Sequence, residues 1–220
     1  MLQFTDSSGN VWQYTGANLS QLTTIGSSNN ITLPANDGLG QNFTGYGNTF
    51  YNGVGAIASV TALIISDNYT GASGGFTGCT ALTSLMIGNG ITSISASAGT
   101  GLANLASVII GTGCTTIGAY AFQNCPNLLS VVFLDVTAPV TVEATWISGT
   151  TNVNIRGHAF SSSNFPAQGQ VWNTLTMGTP NPGRMKIYTG ESWQYINTIG
   201  QTPITVADYL YNYSTLYGGF

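Results

Sequence analysis

Three cysteines, one histidine and seven carboxylates are the residues through which this chain could do covalent or metal chemistry. Cys79, Cys114 and Cys125 are odd in number, contain no C-x-x-C pair and have only His158 beside them, which argues against zinc. The string Gly71-Ala72-Ser73-Gly74-Gly75 fits G-x-S-x-G, and Ser73, Asp135 and His158 come in the chain order of a hydrolase triad. That motif acts only where a strand turns sharply into a helix. The stretch immediately downstream, Phe76 to Ile87, has no helical periodicity, so a loop between repeats is expected and no catalytic residue is assigned. Glu143, Glu191 and the five aspartates offer no spacing that promises a glycosidase pair, and no D-x-D-x-D-G run marks a calcium loop. Arg156, Arg184 and Lys186 are the only cations, too few for a phosphate patch, and no G-K-[ST] or dinucleotide fingerprint occurs. The expectation is a chain that is not an enzyme and holds no cofactor.

Aromatic rings with amide neighbours offer a different chemistry, since a flat ring stacks on the apolar face of a sugar while amides take its hydroxyls. The four tryptophans are Trp12, Trp146, Trp172 and Trp193. Two of them sit in matching Trp-Gln-Tyr triplets, so Trp12, Tyr14, Trp193 and Tyr195 are the candidate contacts for a glycan or a protein partner.

Composition sets the frame for these residues. Charged residues are 5% of the chain, against about 25% in an ordinary globular protein. Gly, Thr, Ser and Asn make up nearly half of it, yet 43% hydrophobic and 11% aromatic content is too rich for disorder. The chain is expected to fold, and to be mainly β. A net charge of -4 over 220 residues makes a weak field, which disfavours nucleic acid. No window reaches the roughly 18 apolar residues of a membrane helix, and the start MLQFTDSSGN lacks the two regions of a secretory leader. Neither membrane insertion nor export by that route is expected, and the five N-x-[ST] sequons are expected to go unused.

Internal repetition decides the architecture. The pattern L-x-x-L-x-I recurs as Val60-Leu63-Ile65, Leu82-Leu85-Ile87, Leu105-Val108-Ile110 and Leu128-Val131-Phe133, with starts 22, 23 and 23 residues apart. A coil of this length cannot bury its own apolar face, so neighbours must stack, with one short parallel strand per coil. Cys79 and Cys125 occupy the slot of Ile57 and Leu102, and Cys114 that of Ile91. Cysteines that interchange with aliphatics are read as buried, reduced core residues. The order seen in FTGCTAL (Phe76 to Leu82), FQNCPNL (Phe122 to Leu128) and IGAYAF (Ile117 to Phe122) resembles the BspA-like class of leucine-rich repeats, over roughly residues 54–135.

The resemblance implies a short parallel β-solenoid of leucine-rich-repeat type, and the flanks read as β-hairpin terminal segments. Three parts are expected: 1–50 as an N-terminal β segment or cap, 51–136 as the solenoid and 137–220 as a C-terminal β segment. Leu2 to Tyr14 and Ile187 to Ile196 are the hairpins, Thr179 to Arg184 marks a boundary, and 138–181 is irregular β in which Ile155 to Phe160 forms one more degenerate coil. Tyrosines at 209, 211, 213 and 217 indicate a strand with one packed face. A virion surface protein of a bacteriophage fits best: a head fibre, capsid decoration or tail adhesin. Its expected partners are other virion proteins, copies of itself and a glycan or protein of the host surface. A fragment of a bacterial cell-surface adhesin is the alternative.

Overall fold

A four-residue run with leucine, valine or isoleucine at alternate positions turns those side chains to one face of a strand. In the computed structural model, residues 1–46, 55–133, 141–143 and 145–150 are described, together with the backbone of the strands lying between 154 and 195. The chain begins with β1 (Leu2–Thr5), β2 (Val11–Thr15), β3 (Asn18–Thr24) and β4 (Asn30–Thr32). The repeats contribute β5 (Ala62–Ile65), β6 (Gly71–Ser73), β7 (Ser84–Ile87), β8 (Ile91–Ile94), β9 (Ser107–Ile110), β10 (Thr116–Ile117), β11 (Ser130–Phe133) and β12 (Thr141–Val142). Beyond them lie β13 (Asn154–Gly157), β14 (Val171–Trp172), β15 (Leu175–Thr176), β16 (Lys186–Tyr188) and β17 (Trp193–Tyr195).

The architecture is a parallel β-solenoid. Six strands form one sheet in the order β13-β11-β9-β7-β5-β4, and every neighbouring pair in it is parallel. Leu63, Leu85, Val108 and Val131 are directly in register, as the repeat spacing requires, and all four are buried. Ile31 extends the row at one end and Ile155 at the other, so the ladder includes the degenerate coil expected at Ile155 and is one strand longer at the β4 end than the repeats legible in the sequence. The three residues of β4 carry a single inward aliphatic, too little to make a pattern. The faint coil at Ile155 holds as far as β13; its residues 158–160 lie outside the described residues.

One expectation needs correction: each complete coil carries two strands. After the first strand and a tight corner, the chain enters a second parallel sheet, ordered β12-β10-β8-β6. Its strands span two to four residues, and in β8 the buried pair Ile91 and Ile94 is spaced by three, which hides the two-residue alternation. Ser73 lies in β6, so the G-x-S-x-G segment is part strand rather than a loop. The remaining side of the coil is made of turns, with 3-10 turns at Gly55–Ser59 and Phe76–Gly78.

At one end β1, β2 and β3 form an antiparallel sheet, β1 and β2 joined through the expected turn at Asp6 to Asn10. Trp12, Leu19 and Leu22 from this sheet belong to the same buried cluster as the coil interiors, and Leu19 N–H donates to the carbonyl of Gly45. The sheet therefore closes the open end of the core. The β16–β17 pair is antiparallel, as the second hairpin requires. The segment of tyrosines from 209 to 217 lies outside the described residues.

The corners are where stacking is tightest. A Cβ on Gly88 would lie 2.5 Å from the carbonyl oxygen of Ile65, and one on Gly111 would meet the backbone of Gly88 at 2.6 Å. These two glycines are 23 residues apart and occupy one slot. A second slot is set by backbone sign: Gly101, Asn124 and Gly149 all have positive φ, at 75°, 53° and 72°. Two substitutions separate close approach from dihedral demand. Gly88→Ala is expected to cost about 2–3 kcal/mol through overpacking against backbone. Gly101→Asn, which finds open space and copies Asn124, is expected to change stability by less than about 1 kcal/mol. Urea unfolding of the two variants checks both.

Candidate interaction surface

The aromatic residues singled out in the N-terminal triplet belong to the core. Trp12 is fully buried, and its indole N–H donates to the Asp6 carboxylate at 2.8 Å. The same carboxylate accepts from the backbone N–H groups of Ser8 and Asn10 and from the Asn10 amide, so one acidic side chain ties the turn to the ring. Tyr14 is buried among Phe4 and Phe43, with ring centroids 5.7 and 5.1 Å away, and its hydroxyl donates to Asp37. Neither ring has a free face for a sugar, which corrects the expectation for this pair: closing a solenoid end takes large apolar area, and these rings supply it. Trp146 is buried against Phe122 and Phe133. Trp193 and Tyr195 are in β17, paired with Tyr188 and Lys186; their side chains, like that of Trp172, lie outside the described residues.

Ser73 and Asp67 are also engaged within the structure. Ser73 is fully buried, and its Oγ accepts a hydrogen bond from the hydroxyl of Tyr46. Tyr46 packs edge-on to Tyr69, and burial pushes its phenol up to about 12. Asp135 and His158 lie outside the described residues. Asp67 accepts from the backbone N–H and the amide of Asn89, whose own Oδ1 accepts from the N–H and hydroxyl of Thr112. These three share one slot in successive coils and form a polar ladder along a corner. Among the described residues no group of three or more His, Cys, Asp or Glu gathers to hold a metal ion.

All three cysteines are buried and free. Burial pushes the Cys79 thiol up to about 12 and that of Cys114 to about 11, and it raises Cys125 as well. Ile57, Leu102 and Ile91, their counterparts in neighbouring coils, are equally buried, which bears out the reading of an aliphatic slot.

The exposed remainder includes flanks of small polar side chains, and two of their rows share one polarity, whereas Thr100 donates the other way, to the carbonyl of Tyr120. Thr83 Oγ1 donates to the carbonyl of Thr61 at 2.8 Å, Asn104 Nδ2 to Thr80 at 2.9 Å, and Asn127 Nδ2 to Ala103 at 2.7 Å. On the other flank Thr92 donates to Gly71 and Thr115 to Thr92. Each of these five donors reaches the carbonyl of the preceding coil. A threonine hydroxyl has one proton and two lone pairs, so spending the proton inward leaves an acceptor facing out. Exposed apolar side chains punctuate this surface at Leu129 and Tyr120. Sequence reasoning passed over these rows, because isolated Thr and Asn in a Thr- and Asn-rich chain carry no signal until the 22- to 23-residue spacing is applied to them.

The chain is similar to the BspA type leucine rich repeat region, whose family model matches residues 48–166 in six copies. No curated protein and no solved structure shows a significant match to it.

The buried groups can be probed in two ways. Native protein is expected to resist a thiol reagent at pH 8.5 and to label fully on unfolding, and Cys114→Val is expected to cost less than about 1.5 kcal/mol. The Tyr14–Asp37 contact has a two-sided pH signature. Hydrogen bonds from Tyr14 and from backbone N–H groups hold the Asp37 carboxyl below its ordinary value, so its contribution is complete above about pH 4 and is lost as pH falls through the lowered value. The hydrogen bond to Asp37 raises the Tyr14 phenol, so that contribution is complete below about pH 10 and is lost as pH rises through the raised value. Near-UV circular dichroism against pH is expected to show both limbs, and Asp37→Asn to flatten the acid one.

Proposed function

The chain belongs to the BspA-type leucine-rich-repeat family, whose repeats suggest a surface or adhesion-type protein, and on that premise we propose that it works by display and contact, without covalent chemistry, on the outside of a bacteriophage particle. The observation that carries the reading is the polarity of the Thr and Asn flank. Its threonine protons are spent on the backbone of neighbouring coils, each asparagine spends one of its two amide protons there, and the flank offers outward acceptors, the remaining amide donors and scattered apolar side chains to a partner. Such a surface suits neutral ligands rich in hydroxyl or amide groups, as host glycans and peptide backbones are, and has little to offer a charged polymer. The choice of a particle over a cell envelope is supported by three buried, reduced thiols, which fit folding in the reducing cytoplasm of a host.

Attachment to other virion proteins or to copies of itself is assigned to the hairpin-bearing ends, Leu2 to Tyr14 and Ile187 to Ile196. β1 is the last strand of its sheet, with Leu2 61% exposed, and an unpaired edge binds by strand addition. Family membership favours a second reading, a bacterial cell-surface adhesin with the same displayed flank.

Mass spectrometry of purified particles separates the two: the polypeptide is expected in the particle, and its absence there overturns the first reading. Contact is tested by competition. Purified protein is expected to reduce adsorption of the particle to host cells, and Leu129→Lys, on an exposed side chain, is expected to weaken that competition with the far-UV spectrum unchanged. A measurable glycan turnover lost on replacing Glu143 or Glu191 would overturn the non-enzymatic assignment.

A further inference from the structure

The corner after the first strand places two demands on adjacent positions, and together they create a chemically labile pair. At the first position the stack holds a side chain that both donates and accepts between coils, as Asn89 does between Asp67 and Thr112. At the next it has no room for a side chain. A Cβ on Gly90 would run into the carbonyl oxygens of Tyr69 and Asp67, and one on Gly113, a repeat later, into that of Asn89. The result is Asn89-Gly90, one of two Asn-Gly steps in the sequence; the other, Asn52-Gly53, lies outside the described residues. A following glycine leaves the backbone nitrogen unshielded, so Asn-Gly is the step at which a carboxamide is lost most readily. Both residues are half-buried, within reach of water.

We propose that Asn89 is a latent deamidation site, held unreactive by the hydrogen bonds of the polar ladder, and that its conversion breaks that ladder. The reaction needs only water. The backbone nitrogen of Gly90 attacks Asn89 Cγ, the bond from Cγ to Nδ2 breaks, and ammonia leaves with the amide proton of Gly90. Water then opens the cyclic imide at either carbonyl, giving an aspartate or an isoaspartate whose main chain runs through the side chain. Closing the ring rotates the Asn89 side chain against its own backbone. In the folded chain these two are tied to different coils. The backbone N–H donates to Asp67 Oδ1 at 2.8 Å and Nδ2 to Asp67 Oδ2 at 3.1 Å, while Oδ1 accepts from the N–H of Thr112 at 2.9 Å and from its hydroxyl at 3.2 Å. Ring closure therefore has to release hydrogen bonds on both sides of the corner. The product also fits badly. An oxygen replaces Nδ2 opposite Asp67, so a donor is lost and two carboxylates meet in one slot of adjacent coils. An isoaspartate adds a methylene to the backbone beside Gly90, where even a Cβ has no room.

The test uses the full chain, incubated at mildly alkaline pH in its native state and unfolded in guanidinium chloride, with peptide mapping by mass spectrometry to follow amide-to-acid conversion at residue 89. Asn89 is expected to convert at least about tenfold more slowly in the native chain, because the reaction waits on a local opening of the corner. Asp67→Ala removes both acceptors on one side. It is expected to raise the native rate at least about threefold while the amides of Leu85 to Ile87 stay protected from hydrogen exchange. Conversion as fast in the native chain as in the unfolded one would overturn the proposal, and so would an unchanged rate in Asp67→Ala. Should that variant lose its amide protection, Thr112→Val decides, since it deletes a single hydroxyl at a half-buried position. Its rate is expected to rise at least about twofold, and no rise would refute the ladder as the restraint. The fate of the product is measured separately. Asn89→Asp is expected to unfold at a lower urea concentration than the unaltered chain at neutral pH, and adding Asp67→Asn to recover part of that loss. A midpoint that Asn89→Asp leaves in place, or a loss that Asp67→Asn does not touch, would show that conversion leaves the ladder whole.

Discussion

In-register parallel stacking, at about 4.8 Å from coil to coil, is the constraint on which the rest of this protein depends. It requires each slot of the 22- to 23-residue repeat to hold a side chain that fits between its own counterparts above and below. The interior rows satisfy this with aliphatics of similar size, and sulfur substitutes for a methyl-bearing branch at Cys79, Cys114 and Cys125 without disturbing the row. At the corner after the first strand the requirement becomes steric, and Gly88 and Gly111 meet it by having no Cβ at all. At the turn slot it becomes a dihedral requirement, met by Gly101, Asn124 and Gly149.

The same geometry gives a physical reason for the scarcity of charge. Residues in one slot of neighbouring coils are direct cross-strand neighbours, and like charges placed so are destabilising. A repeat bearing Lys or Glu on its outer positions would stack that charge on itself. Thr, Ser and Asn carry dipoles that can alternate donor and acceptor along the stack, as Asp67, Asn89 and Thr112 do, with a single carboxylate at the start of the ladder and neutral groups after it.

Stacking leaves two problems that repetition cannot solve, an open end and an open face. The antiparallel sheet of β1, β2 and β3 answers the first, and it does so with the largest rings available, Trp12 held by Asp6 and Tyr14 held by Asp37. The acidic residues there orient rings. The outer row of Ile64, Met86 and Ile109 poses the second problem, because it is apolar and buried without belonging to the core. Surfaces left for a partner are then the polar flanks and the unpaired strand edge of β1, both on the outside of a rigid stack.

By itself the sequence determined the repeat, its register and the fate of its thiols. A period of 22 to 23 residues aligns Leu63, Leu85, Val108 and Val131, and once those rows are aligned the inward slots and the cysteines in them result from sterics alone. It also marked the two hairpins, since alternation around Asp6 to Gly9 is a local signal. Only the tertiary structure decided the second sheet, the extra strand at β4, and the side to which Trp12 and Tyr14 turn. The strands of the second sheet are too short to show alternation, and β4 takes its place by pairing with a neighbour rather than by a pattern of its own. Trp12 and Tyr14 read as displayable rings because a local triplet does not record which residues lie opposite it. Their burial is set by Phe43, Asp37 and the open end of the core, contacts that exist only after the chain has folded back on itself.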